Sequence, residues 1–258
     1  MLWRIDALRG HEWFPPNPEG DRLRLGSLDH ILRDRIAEAC SRFDTVTVHG
    51  HQRDLNIASH NPGIRRESIR QYLQCIEFAH AIGARWVTFH PGHYQRLLSD
   101  EQTLRDRNIE FGKRAAEMAE QYDFLIGYEE MGLVVGNHFE HLLEVIDKIG
   151  STRFGLNFDI GHAWMLGSPP PYQWIDTFRG KIVGLHLHGT FHRPDRGLAT
   201  HMPMEYDDCY NLKDLFKHVR ASGFQGPMIF EIMSASIDRY LHRARRGKDL
   251  VCRLWDVA

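Results

Sequence analysis

The sequence predicts an α/β protein built as a parallel (β/α) TIM barrel, and three observations predict it. Short apolar runs alternate along the chain with amphipathic stretches of helix length, the pattern of a parallel sheet with helices outside it. Six of those runs end on a side chain of metal-ligand type: 46–48 on His49, 86–89 on His90, 124–128 on Glu129, 154–158 on Asp159, 182–185 on His186 and 228–230 on Glu231. The length, 258 residues, is that of one such barrel, so a single domain over 1–258 is expected. Barrel strands deliver their C-terminal side chains to one mouth. Carboxylates and imidazoles gathered there would repel one another or stay badly solvated unless divalent cations sat among them.

The elements follow in order. An apolar opening at 2–8 reads as a first strand. After it comes a loop over 9–26 holding Trp13, Phe14, Pro15, Pro16 and Pro18, which reads equally as part of an active-site rim or as a cover for the barrel bottom. Ser27 and Asp29 can cap a helix over 28–43, with Ile31, Leu32, Ile36 and Ala39 on one face. A strand at 45–49, a polar loop through Asn56 to Pro62, and a helix over 65–82 stopped by Gly83 come next. The remaining units are strand 86–90, helix 104–121, strand 125–129, helix 138–149, strand 154–159, a short helix near 172–178, strand 182–187, helix 212–222, strand 228–232 and a final helix over 236–254. That is seven strands where a full barrel has eight. Either the first βα unit is absent or a strand lies within 9–26. The first reading is preferred, because 2–8 sits one helix before His49.

Composition bounds the function. Hydrophobic content of 42%, charged content of 26% and a net charge of −2 describe an ordinary globular chain without a global basic field for a polyanion. Cys40, Cys75, Cys209 and Cys252 form no CxxC, which points to a reduced, cytoplasmic setting. No run reaches membrane-spanning length, so no membrane partner is expected.

His49 with Asn56-Ile57-Ala58-Ser59, Phe89-His90-Pro91-Gly92, Glu129, Asp159-Ile160-Gly161-His162, His186-Leu187-His188, His201-Met202-Pro203-Met204 and Glu231 together resemble the xylose isomerase-like barrels of AP endonuclease family 2. That superfamily includes endonuclease IV and many sugar and sugar-phosphate isomerases and epimerases, and the resemblance runs from about residue 45 to the C-terminus. It implies a metal set of Glu129, Asp159, His186 and Glu231, with Glu129 and Glu231 as the acid/base pair in members that isomerise or epimerise sugars. Its endonuclease branch adds imidazoles, matched here by His49, His90, His162 and His201, and implies two or three zinc ions with Glu129 bridging two. Where that branch has an aspartate two residues before His201 this chain has Ala199, with Asp195 as a substitute if the loop folds differently. The tyrosine expected near Gln52-Arg53 is also missing.

Two functions stand. The lead is a zinc-dependent phosphodiester hydrolase of endonuclease IV type, acting on a small phosphorylated substrate or on DNA with a damaged site. The alternative is an isomerase or epimerase of a sugar or sugar phosphate using one Mn, Mg, Co or Zn ion, with Glu129 and Glu231 moving the proton. A third class, a non-catalytic or partner-assembled barrel, would cover an open side by homodimerisation. Arg53, Arg193 and Arg196 follow ligand-bearing strands and suit bidentate phosphate contact, or are solvated loop charge. His162 could instead cap the segment after Asp159. His51, His60, His93, His188 and His192 are left out of the ligand set; His188 shares a strand face with His186 and reads equally as rim. Glu130 should point away from Glu129 and is read as structural.

Overall fold

The computed structural model describes residues 3–4, 30–50, 54–92, 100–131, 139–166, 169–193, 197–206, 209, 211–232 and 237–256. Arg53, Asp195, Arg196, His51, His93 and the 9–26 loop lie outside them, as do the side chains of Arg193 and His192. The chain forms two compact units, Asp6–Gly155 and a second made of Met1–Ile5 with Leu156–Ala258. Strand β1 (Trp3–Arg4) belongs to the second.

In the first unit, helix α1 (His30–Cys40) precedes strand β2 (Val46–His49), helix α2 (Pro62–Ala81), strand β3 (Ala84–Phe89), helix α3 (Glu101–Tyr122), strand β4 (Leu125–Glu129) and helix α4 (Phe139–Ile149). The strands pair in parallel in the order β4-β3-β2. Both long helices start three residues before the apolar periodicity does, and capping is the cause. Asn61 accepts from the amides of Gly63 (2.8 Å) and Ile64 (3.3 Å) ahead of Pro62, whose missing N–H costs nothing in a first turn. Asp100 accepts from Gln102 and Thr103 at 3.1 Å each, giving α3 its first turn. Behind the sheet, Tyr72, Phe89, Phe111 and Tyr128 pack ring on ring, with Tyr72 4.7 Å from Phe89 and Phe111 5.5 Å from Tyr72. All four are buried, and this cluster fixes where the C-terminal ends of β3 and β4 sit.

In the second unit, strand β5 (Phe154–Asp159, from Leu156 onward in this unit) leads into helix α5 (Ile160–Leu166), helix α6 (Pro171–Thr177) and strand β6 (Ile182–Leu187). Strands β7 (Gly189–Arg193) and β8 (Gly197–Met202) form an antiparallel hairpin, followed by a 3-10 turn at Met204–Tyr206, helix α7 (Leu212–Ala221), strand β9 (Met228–Phe230) and helix α8 (Ile237–Asp256). Its parallel order is β1-β9-β6-β5. Every residue of β5 is buried, Asn157 and Asp159 included, as in a parallel strand covered on both faces. Phe158, Trp174 and Phe178 pack beneath it, Trp174 and Phe178 stacked at 5.7 Å. The hairpin and α5 were not expected from the sequence, and β9 pairs two residues less than 228–232, though the Glu231 amide still donates to the Leu187 carbonyl at 3.0 Å. Among the described residues no helix is long and apolar enough to cross a membrane.

Candidate metal centres

Each unit places a cluster of imidazole and carboxylate donors at the C-terminal ends of its parallel strands. In the first unit His49 is the last residue of β2, His90 follows β3 and Glu129 ends β4. One ligand atom from each lies within 4.8 Å of the other two. His49 Nε2 is 3.0 Å and His90 Nε2 3.7 Å from Glu129 Oε2, and the two imidazole rings are 5.0 Å apart. His49 Nδ1 lies 2.9 Å from the Gly50 carbonyl, an acceptor that draws the ring proton to Nδ1 and leaves Nε2 as the ligand nitrogen. Glu129 is fully buried and His90 nearly so. A buried carboxylate between two imidazoles is costly unless positive charge offsets it, and a borderline divalent cation supplies that charge with donors it accepts.

In the second unit one ligand atom from each of Asp159, His186 and Glu231 lies within 4.8 Å of the other two. His186 Nδ1 is 2.8 Å from Glu231 Oε2 and 3.9 Å from Asp159 Oδ2, while the Asn157 amide sits 3.0 Å from His186 Nε2. Asp159 Oδ1 accepts from the Gly161 and His162 amides at 2.8 Å each. His188, fully buried, lies with Nε2 3.0 Å from the same oxygen. Both donor sets are nitrogen and oxygen without thiolate, which fits zinc, manganese, cobalt or magnesium rather than a soft metal.

Of the residues expected at the site, His49, His90 and Glu129 are brought together in one unit, and Asp159, His186 and Glu231 in the other. His162 stands beside its cluster, Nδ1 3.8 Å from Asp159 Oδ1, and its ring is 5.5 Å from that of His201. His201 lies in β8 rather than in a loop, with Nδ1 3.2 Å from the Glu231 carbonyl; Ala199 is buried two residues before it. Arg193 is the last residue of β7. Glu130 is buried. Sequence reasoning passed over Asn157 and underrated His188. Their signal was present: Asn157 lies two residues before Asp159 and His188 two after His186, so each shares a strand face with a donor.

The chain is similar to known proteins in sequence and in fold. Over 159 residues the chain is 32% identical to an uncharacterized protein of Methanocaldococcus jannaschii, a match covering 59% of this chain and 54% of the relative. It is 26% identical to a probable endonuclease 4 of Aquifex aeolicus over 152 residues, 55% of this chain and 52% of that one. The chain thus spans about half the length of these curated relatives. Among solved structures, a D-tagatose 3-epimerase-like protein superposes with a TM-score of 0.75 at 24% identity, covering 90% of this chain and 85% of that one. The IolI protein with a bound zinc atom gives 0.73 at 17% identity, covering 92% and 87%. A family model for the xylose isomerase-like TIM barrel matches residues 8–250, and the chain belongs to that family.

Proposed function

We propose that this protein is a divalent-metal-dependent hydrolase of phosphodiesters, with His49, His90 and Glu129 holding one cation and Asp159, His186 and Glu231 holding another. One observation carries the reading: a complete donor set of two imidazoles and a carboxylate exists in the first unit in addition to the carboxylate-rich set in the second. A single-metal isomerase has no use for His49 and His90 as ligands. Bound cations would supply a water deprotonated near neutral pH and charge to meet that developing on a leaving oxygen. The protein's own work is to orient and dehydrate. The Gly50 carbonyl holds the His49 ring, the Gly161 and His162 amides hold Asp159, and burial of Glu129 and Asp159 keeps competing water from the donors. Arg53, Arg193 and Arg196 are the proposed phosphate contacts, and DNA with a damaged site or a small phosphodiester are the substrates this chemistry would take. The probable endonuclease 4 relative supports the reading.

The alternative, an isomerase or epimerase of a sugar or sugar phosphate, is favoured by the second set alone, since Asp159, His186 and Glu231 can hold one cation without help from the first. The epimerase names of structural neighbours point the same way. Elemental analysis of protein purified without added metal, with the Glu129→Gln variant beside it, separates the two. The hydrolase reading expects two or more zinc ions per chain, a smaller number in Glu129→Gln, and cleavage of bis(p-nitrophenyl) phosphate that the variant abolishes. One exchangeable ion per chain, with C3 or C4 epimerisation of a ketose and no phosphodiester cleavage, would establish the alternative instead.

A further inference from the structure

We infer that His188 is a positioning residue for Asp159: its ring, fixed as the Nε2–H tautomer by the backbone of His201, ties down one carboxylate oxygen so that the other is the one turned toward His186. The inference deepens the proposed function, since it takes Asp159 to be a cation ligand.

The His201 amide donates to His188 Nδ1 at 3.0 Å. A backbone N–H is only a donor, so Nδ1 must present its lone pair, and the proton of a neutral imidazole then sits on Nε2. A competing contact from Nδ1 to the Gly189 carbonyl is longer, 3.3 Å, and would need a proton on the nitrogen that receives the His201 amide. Nε2–H is therefore aimed at Asp159 Oδ1, 3.0 Å away. That oxygen takes three donors, from Gly161, His162 and His188, whereas Oδ2 is the oxygen 3.9 Å from His186 Nδ1.

Two backbone features are shaped around this arrangement. A Cβ on Gly161 would lie 1.9 Å from His188 Cε1 and 2.5 Å from Nε2, so the ring occupies the space a side chain there would fill. His201 adopts φ +54, a left-handed conformation uncommon for a residue other than glycine, and in it the amide meets the imidazole. Both His188 and Asp159 are fully buried, which strengthens the hydrogen bond and penalises its loss. His188 thus belongs to the support of a ligand and not to the ligand set.

The test has two arms on the full chain. Long-range 1H–15N NMR of histidine-labelled protein without metal should show His188 with an unprotonated Nδ1 and a protonated Nε2. Zinc titration by calorimetry should show the affinity of one site lowered about 10- to 100-fold in His188→Ala, the usual effect of losing an outer-shell partner. His188→Gln, whose amide can donate from near the position of Nε2, should recover most of it, and Gly161→Ala should behave as His188→Ala. A protonated Nδ1 overturns the inference, as does unchanged zinc affinity in His188→Ala. If His188→Ala does not fold, the tautomer and His188→Gln decide: wild-type affinity in His188→Gln supports the inference, and a loss equal to that in Gly161→Ala counts against it. If the wild type binds no zinc, the metal reading falls by itself and the NMR arm alone decides the positioning of Asp159.

Discussion

Replacing Gly92 by Ala would load a close approach that positions His90. A Cβ at this position would stand 2.5 Å from Ala58 Cβ, 2.6 Å from the Ala58 backbone nitrogen and 3.0 Å from Ile57 Cγ1. Ordinary contact lies beyond 3.4 Å, so something must move by nearly an ångström. The 56–59 loop cannot easily give. Its Asn56 amide donates to Ser68 Oγ at 2.8 Å, the Ala58 amide to Asn56 Oδ1 at 2.9 Å, and the Ala58 carbonyl accepts from Arg107 at 2.8 Å. Arg65 holds the Ser59 carbonyl at 2.8 Å. The movement then falls on Gly92, whose own amide donates to the buried Asn108 Oδ1 at 2.7 Å, and on His90 two residues earlier.

Overpacking of this kind costs about 1–3 kcal/mol. For a protein of this size each kcal/mol lowers Tm by about 2–4 °C, so the variant should melt about 2–12 °C below the wild type. Differential scanning calorimetry reads that shift, and zinc titration reads its effect on the His49, His90 and Glu129 set, where affinity should also fall. A variant with wild-type Tm and wild-type zinc affinity would refute the reasoning. A lowered Tm with unchanged affinity would show that the 56–59 loop yields and His90 does not.

Two further outcomes follow from titrating groups. Burial pushes the Cys75 thiol up to about 12, so iodoacetamide at pH 8 should leave it unmodified in the folded protein while reaching the partly exposed Cys209 and Cys252, and urea should expose it; peptide mapping reads the order. The Asp100 carboxyl is held below its ordinary value first by the Thr103 hydroxyl and then by the Gln102 and Thr103 amides. A depressed folded pKa contributes stability that is present above the unfolded value and lost as pH falls through the folded one. The margin of the wild type over Asp100→Asn in urea unfolding should therefore shrink as pH drops through and below the ordinary carboxylate range. A margin that grows on acidification would contradict the cap.

The sequence made the parallel strands legible because they are buried at nearly every position and so read as short, mostly apolar runs, as 154–158 and 86–89 do. Helix starts were misplaced where polar caps stood ahead of the apolar stripe, at Asn61-Pro62 and Asp100. The β7–β8 hairpin escaped because 189–193 offers neither an apolar run nor a two-residue turn signal. At the site, residues that offer a ligand atom were legible by their place at strand ends. Asn157 and His188 were not, because each acts through another side chain, and only a contact across strands reveals that.

Register explains why the donors share a face. Asp159 pairs level with His186, and His186 with Ile229, which puts Glu231 two residues beyond that level. His49 pairs with Thr88, and Thr88 with Gly127, so His90 and Glu129 each lie two residues past their partners and level with one another. Every offset within a unit is zero or two. Side chains alternate faces along a strand, so an offset of one would have turned a donor to the helix side, and an even offset keeps it with the rest. The same parity brings Asn157, two before Asp159, and His188, two after His186, onto the donor face. A strand face that carries polar residues at alternate positions while its neighbours are apolar is therefore where both ligands and their supports should be sought, and in the second unit that single rule gathers Asn157, Asp159, His186, His188 and Glu231 from three strands.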